Sequence, residues 1–93
     1  KGAASELAGP DGWHARNTTG NPALAAPGMG DVLTGSLAAL AARLPPADAL
    51  QLAVHLHGLA ADELVADGVG PEGLTASVLI ARLNACLNAH VRT

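Results

Sequence analysis

The residues with the clearest capacity for chemistry are Gly28-Met29-Gly30-Asp31, which stand immediately before a long apolar run. Leucine and valine recur in that run at helical spacing, so the four residues are expected at a helix N-terminus. Backbone N–H groups at such an end are unpaired and carry partial positive charge. Glycines there let the backbone approach a ligand closely. Together these features predict an anion site suited to phosphate oxygens.

Asp31 has two candidate roles at this position. An aspartate before an apolar helix is commonly an N-cap, whose carboxylate accepts a hydrogen bond from the first turn. Alternatively, the carboxylate accepts the proton of a hydroxyl that attacks a phosphoryl group held by the glycine amides. The four residues alone favour the cap, so the choice depends on the surrounding sequence.

That sequence predicts a short β-hairpin, a glycine-rich loop and three helices. Segments 5–8 and 13–16 flank Pro10-Asp11-Gly12, which is a turn sequence. Residues 17–30 contain three Gly and two Pro and are expected to form a loop, and a loop of this length is uncommon in a compact domain unless it has a function. Apolar spacing predicts helices over about 30–43, about 46–66, and from an N-capping Thr75 onwards.

Composition and charge exclude several classes of protein. Of the 93 residues 49% are hydrophobic but only 1% are aromatic, which favours closely packed Leu/Ala helices. The net charge is −3 and the five Lys and Arg are scattered, so nucleic acid is not an expected partner. The sequence contains no run of about 18 uncharged apolar residues, so no membrane-spanning helix is expected. A single cysteine excludes an internal disulfide, and a cytoplasmic location is expected.

Several polar residues are assigned structural roles rather than chemistry. His57 is expected to be a packed, hydrogen-bonded histidine, and Cys86 a small buried hydrophobe. Asp48, His55 and Asp62 are expected to form a solvated stripe on the second helix. The four histidines show no short spacing to cysteine or carboxylate that indicates a metal site. The extensive apolar helix faces also favour a homo-oligomer.

The longer pattern resembles one family closely. Five stretches carry the resemblance. In chain order they are Lys1-Gly2-Ala3, Asn17-x-x-Gly20-Asn21-Pro22, residues 27–35 around Gly-Met-Gly-Asp, His57-Gly58-x-Ala60-Ala61-Asp62, and Gly73-Leu74-x-Ala76-Ser77. In this order they resemble the ADP/ATP-dependent NAD(P)H-hydrate dehydratases over nearly the whole chain. The resemblance implies an α/β, ribokinase-like (Rossmann-like, three-layer) domain, of which residues 1–93 are the C-terminal part.

The resemblance also implies an activity. Members use ADP or ATP, with Mg²⁺ expected, to return (6S)-NAD(P)H hydrate to NAD(P)H, releasing phosphate and AMP or ADP. By position, the nucleotide would lie along Lys1, Gly2, Ala3, Ala4, Ser5 and Gly30. Gly28, Met29 and Gly30 would form an anion hole, and Asp31 would bind the substrate hydroxyl and accept its proton. A fused or separate NAD(P)H-hydrate epimerase is an expected partner.

Departures from the family pattern and two alternatives accompany this interpretation. Residues 23–27 read Ala-Leu-Ala-Ala-Pro where the family more often has Gly-Met-Ala-Thr, and Ala4-Ser5 replaces Gly-Thr. The chain is expected to be a fragment that is inactive on its own. One alternative is a ribokinase-like kinase of hydroxyethylthiazole or hydroxymethylpyrimidine type. The other is a truncated, non-catalytic helical interaction module.

Overall fold

The computed structural model describes residues 5–9, 12, 14–70 and 72–92, with the backbone alone at Ser5 and at 91–92. A hairpin comes first, with strand β1 at Ser5–Ala8 and strand β2 at His14–Asn17. The strands pair antiparallel in the register Ser5↔Asn17 to Ala8↔His14. The predicted second strand is therefore shifted by one residue, while Trp13 and the Pro10-Asp11 part of the turn lie outside the described residues.

Three helices follow the predicted loop. Helix α1 spans Met29–Ala41, α2 spans Pro46–Ala66 and α3 spans Ala76–Arg92. The loop itself contains one short 3-10 helix at Pro22–Ala25. This sequence of elements confirms the predicted order of hairpin, loop and three helices. A two-stranded sheet with three helices is consistent with part of an α/β domain.

Local chemistry explains where the helices begin and end. Proline occupies the first position of α2, where its missing N–H costs nothing and its fixed φ suits the helix. Gly68, at φ 85°, follows the C-cap residue Asp67 of the same helix, and Val69 N–H donates to Leu64 O at 2.8 Å. This is the glycine-terminated pattern that satisfies the last helical carbonyls. Thr75 Oγ1 accepts a hydrogen bond from Val78 N–H at 3.4 Å, which confirms the predicted N-cap of α3.

The core is centred on α2, which packs between α1 and α3. Its buried face is made of small and branched residues, namely Ala49, Ala53, Leu56, Gly58, Ala60, Ala61 and Leu64. Small side chains let neighbouring backbones approach closely and bury apolar surface without aromatics. Arg82 links α3 to the end of α2 through Asp67 at 2.8 Å and Glu63 at 3.3 Å.

Cys86 belongs to this core, as the sequence predicted, and is 7% exposed. Burial is the main cause that raises the pKa of its thiol, and Glu63, whose Oε1 lies 3.6 Å from the Sγ, adds to it. A raised thiol pKa leaves little thiolate at neutral pH, so Cys86 is a packing residue. In the described part of the chain, no helix is both long and apolar enough to cross a membrane.

Candidate active site

The N-terminus of α1 has no side-chain cap. Gly28 is the N-cap residue with φ 86°, a left-handed conformation that favours glycine, and no side chain caps the helix. Val32 N–H donates to Gly28 O at 3.1 Å, and Met29 N–H donates to Ala26 O at 3.4 Å. The N–H groups of Gly30 and Asp31 donate to no described residue. Two donors are therefore available to a ligand at this helix end.

Asp31 is the third residue of α1 and its side chain is exposed. Because Gly28 holds the N-cap position and no side chain caps α1, the capping interpretation of Asp31 is wrong. Its carboxylate makes no hydrogen bond or ion pair within the described part of the chain. A negative charge in the first turn is nevertheless favourable beside the positive end of the helix dipole. The carboxylate is thus placed beside the two available N–H donors and is free to meet a ligand.

Asp31 is one of the residues that line a groove of about 330 Å³. All three helices contribute to its largely apolar walls, including Val32, Leu40, Ala53, Leu56, Ile80 and Leu83. Apolar walls lower the local dielectric constant and strengthen electrostatic interactions at the charged end. Asp31 therefore combines an exposed side chain with a place in the lining of a mainly apolar groove.

His57, in α2, contacts the first residue of α1 on the side that faces the core. Its Nε2 lies 3.0 Å from the carbonyl oxygen of Met29, and the two residues are 6% and 1% exposed. A carbonyl oxygen only accepts, so the Nε2 of His57 is the protonated nitrogen. Burial lowers the pKa of His57, and the hydrogen bond to Met29 partly opposes that shift. The predicted packed, hydrogen-bonded histidine is confirmed.

The sequence predicted that Asp62 belongs to a solvated stripe on α2, and this prediction is wrong. Its two carboxylate oxygens accept hydrogen bonds from Gly20 N–H at 2.9 Å and from Asn21 Nδ2 at 2.8 Å. Asn21 Oδ1 in turn accepts from Ala23 N–H at 2.9 Å and caps the short 3-10 helix. The expected pattern of polar residues facing water therefore fails at Asp62, because the loop folds back onto α2 and covers it.

The loop has further anchors on α2 and β2. Thr19 Oγ1 donates to His55 O at 2.9 Å, and Asn17, which is 8% exposed, donates from Nδ2 to Thr19 O at 3.0 Å. Since Ser5 pairs with Asn17, the end of the hairpin is tied to the beginning of the loop. The first part of the loop that leads into Gly28 is thus fixed to both α2 and β2.

The structure brings only some of the predicted site residues together. Gly28, Met29, Gly30 and Asp31 lie within one helical turn, with Met29 turned into the core. Ser5 is placed only by its backbone, opposite Asn17, and the predicted nucleotide contacts Lys1, Gly2, Ala3 and Ala4 lie outside the described residues. Within the described part, no three His, Cys, Asp or Glu residues are grouped as metal ligands.

Comparison with known proteins identifies the family of the chain. The sequence profile of the NAD(P)H-hydrate dehydratase family (Carb_kinase) matches residues 1–83. The bifunctional NAD(P)H-hydrate repair enzyme Nnr of Thermofilum pendens is 42% identical over 90 residues, which are 96% of this chain and 17% of that protein. The Nnr proteins of Moorella thermoacetica and Vibrio cholerae are 52% and 51% identical, over 68% and 74% of this chain and 12% and 14% of their own lengths.

The chain therefore spans roughly an eighth to a sixth of the curated relatives named here, from 12% to 17% of their length. No solved structure matches the chain significantly. Because the family profile covers most of the sequence and these relatives are 42–52% identical to it over the aligned residues, the chain belongs to the NAD(P)H-hydrate dehydratase family.

Proposed function

We propose that the chain is the C-terminal part of a ribokinase-like, three-layer domain that converts (6S)-NAD(P)H hydrate to NAD(P)H with ADP or ATP. The products besides NAD(P)H would be phosphate and AMP or ADP. The observation that carries the proposal is the first turn of α1. There an exposed carboxylate without a described partner shares the first turn with two unpaired backbone N–H groups and belongs to the lining of a groove.

This turn suits phosphoryl transfer, which requires positioning and charge stabilisation more than covalent help from the protein. The Gly30 and Asp31 N–H groups would donate to phosphate oxygens, as unpaired donors at a helix N-terminus do. A Cβ atom at Gly30 would meet nothing within 4 Å, so the space where a side chain would stand is open for a ligand. The family pattern assigns the anion hole to Gly28, Met29 and Gly30, and of these the Gly30 N–H is an unpaired donor, whereas the Met29 N–H donates to Ala26 O.

Asp31 would act as the proton acceptor. As an oxygen–phosphorus bond forms at the substrate hydroxyl, that hydroxyl proton passes to the Asp31 carboxylate. The nucleotide supplies the phosphoryl group when bound, and its phosphorus–oxygen bridge breaks in the same step. Phosphate then leaves the hydrate carbon with the C–O bonding electrons, and loss of a neighbouring C–H proton restores the ring double bond.

The remaining nucleotide contacts are proposed from the family pattern. Lys1, Gly2, Ala3, Ala4 and Ser5 would follow the nucleotide, and the backbone pairing of Ser5 with Asn17 brings this strand to the beginning of the site loop. Mg²⁺ would share the phosphate charge.

Assembly is part of the same proposal. The relatives are named bifunctional repair enzymes, so the complete protein would also contain or bind an NAD(P)H-hydrate epimerase. Val78 and Ile80, on different sides of α3, are 37% and 46% exposed, and their burial in a larger domain or a homo-oligomer would be favourable.

The test uses the complete protein that carries this chain, incubated with NADH hydrate and ADP or ATP while the NADH absorbance band is followed. Asp31→Asn should lower the rate by about 10²–10⁴-fold, the usual cost of removing a general base. Asp48→Asn is the matched control, because Asp48 is likewise an exposed third residue of a helix. It should leave the rate unchanged.

Three results would overturn the proposal. Full activity in Asp31→Asn would remove the proton acceptor from the reaction. A stable phosphorylated alcohol formed from a hydroxyethylthiazole or hydroxymethylpyrimidine, without NADH recovery, would identify a kinase instead. Absence of both turnover and nucleotide binding would leave a helical interaction module.

A further inference from the structure

His57 contacts the same peptide group that presents the Gly30 N–H. That peptide group joins Met29 to Gly30, with the Met29 carbonyl oxygen on one side and the Gly30 N–H on the other. The oxygen faces the core and lies 3.0 Å from His57 Nε2, between two residues that are nearly inaccessible to solvent. The N–H donates to no described residue. One peptide group therefore connects the buried histidine to the open helix end.

The geometry of a trans peptide makes this connection directional. The group is planar, and its C=O and N–H bonds point in opposite directions. A hydrogen bond that fixes the Met29 oxygen toward α2 therefore fixes the Gly30 N–H away from it, toward the helix N-terminus. A hydrogen bond accepted by the carbonyl also polarises the amide and makes its N–H a stronger donor.

We propose that His57 is a positioning residue that aims and polarises the Gly30 N–H for the phosphoryl group, by donating from Nε2 to the Met29 carbonyl. This inference rests on the proposed function, since it assigns a task to Gly30 within that reaction. His57 itself touches neither substrate nor nucleotide. It acts through the peptide group, and the neutral imidazole is sufficient because the donor is an ordinary N–H.

The surroundings of His57 suit such a task. His57 lies in the central helix, and the next residue, Gly58, contacts the loop that leads into α1. Asp62, one turn further along α2, holds that loop through Gly20 and Asn21. Contacts with α2 therefore hold both the N-terminus of α1 and the loop that precedes it. A site held on a rigid element keeps its donors in place without reorganisation during the reaction.

The direct test labels the complete protein with carbonyl-¹³C methionine and ¹⁵N-glycine, so that a spectrum correlating amide and preceding carbonyl reports only Met–Gly peptide groups. This chain contains one methionine, so it contributes one such group, and loss of a signal in Gly30→Ala assigns it. In His57→Leu the Met29 carbonyl carbon and the Gly30 amide proton should both move upfield. His57→Gln keeps an N–H donor and should keep both positions close to wild type.

Kinetics supply the second readout. His57→Leu should lower kcat for NADH recovery about tenfold while the KM for the hydrate changes less, because a weakened donor matters most where charge develops. His57→Gln should recover most of that loss. Leu64→Val, a core truncation nearer the C-terminus of α2, controls for stability and should change neither signal nor kcat. If His57→Leu does not fold, the shorter amide of His57→Asn provides the same comparison.

The outcomes separate the two proposals. A folded His57→Leu protein that retains both chemical shifts overturns the inference, as does one whose shifts move while kcat stays at the wild-type value. An equal loss of kcat in Leu64→Val and His57→Leu also overturns it. Failure of the proposed function appears elsewhere, as a wild-type protein that recovers no NADH or as an Asp31→Asn variant with full activity.

Discussion

Gly58 in α2 lies directly against Thr19 in the loop that leads to α1. A methyl group at Gly58 would stand 2.6 Å from the carbonyl carbon of Thr19 and 2.8 Å from the backbone nitrogen of Gly20. These obstacles are backbone atoms, which cannot rotate away as the end of a side chain can. The loop therefore reaches α2 only because position 58 lacks a Cβ atom, and the contact leaves Asp62 close enough to hold Gly20.

Replacing Gly58 by alanine should displace the loop. We expect Gly58→Ala to lower the free energy of unfolding by about 1–3 kcal/mol, the usual cost of overpacking, and to weaken the Thr19–His55 hydrogen bond. Denaturant unfolding of the complete protein measures this. Gly35→Ala is the matched control, because a Cβ atom at this helical glycine meets nothing within 4 Å. It should raise stability by about 0.5–1 kcal/mol. Equal effects at the two positions would contradict the argument.

Asp62 should be sensitive to the loss of one charge. In Asp62→Asn one carboxylate oxygen becomes an NH₂ group, which faces either the Gly20 N–H or the Asn21 Nδ2, and both are donors. Asn21 cannot simply turn its amide round, since its Oδ1 already accepts from Ala23 N–H. We expect a loss of about 1–3 kcal/mol in unfolding free energy, typical for a charged acceptor.

Asp48→Asn separates this contact from the general effect of removing a carboxylate from α2. Asp48 is exposed in the first turn, where its interaction with the helix dipole contributes about 0.5 kcal/mol. Chemical denaturation of both variants gives the comparison. A cost at Asp62 no larger than that at Asp48 would show that the two hydrogen bonds do not hold the loop.

Local signals in the sequence predicted the elements of the fold. Pro46 and Thr75 mark helix starts through their backbone chemistry, and apolar spacing marks the helical faces. The helix after the glycine-rich loop was expected at about 30–43 and occurs at Met29–Ala41. The one-residue shift of β2 is of the same kind, since strand ends depend on pairing partners that a single segment does not contain.

The long-range contacts could not be predicted in this way. Asp62 stands on the same helical stripe as Asp48 and His55, and its type and spacing alone indicate a solvated residue. What distinguishes Asp62 is a loop more than 40 residues earlier in the chain that folds back onto it. His57 was correctly expected to be buried and hydrogen-bonded, but its partner, the Met29 carbonyl, is a backbone atom that no residue type reveals.

The stability of the protein should fall as the pH falls through the titration range of His57. Burial lowers the pKa of folded His57 below the value of about 6.5 for a free imidazole. Between the two values the unfolded state binds more protons, so stability is fully present above about pH 6.5 and is lost below it. One group can contribute at most about 1.4 kcal/mol per pH unit.

Unfolding free energies of wild type and His57→Gln between pH 5 and pH 8 test this. Glutamine does not titrate, so the difference between the two pH profiles isolates His57 from every other ionisable group. We expect wild type to lose stability relative to the variant below about pH 6.5. Parallel profiles, or a wild-type protein that gains stability toward low pH, would show that the folded pKa is not lowered.

Gly30→Ala should separate ligand access from folding. In the protein alone a Cβ atom at Gly30 meets nothing within 4 Å, so the helix accepts alanine and gains about 0.5–1 kcal/mol in unfolding free energy. In the proposed complex the same methyl group would occupy space needed by phosphate oxygens approaching the Gly30 N–H. We therefore expect nucleotide affinity and NADH recovery to fall at least tenfold while stability rises. Calorimetric titration with ADP and thermal unfolding of the same preparation measure the two effects. Unchanged ADP affinity in a stabilised Gly30→Ala protein would place the nucleotide away from this helix end, because a methyl group on Gly30 would then stand clear of the phosphate oxygens.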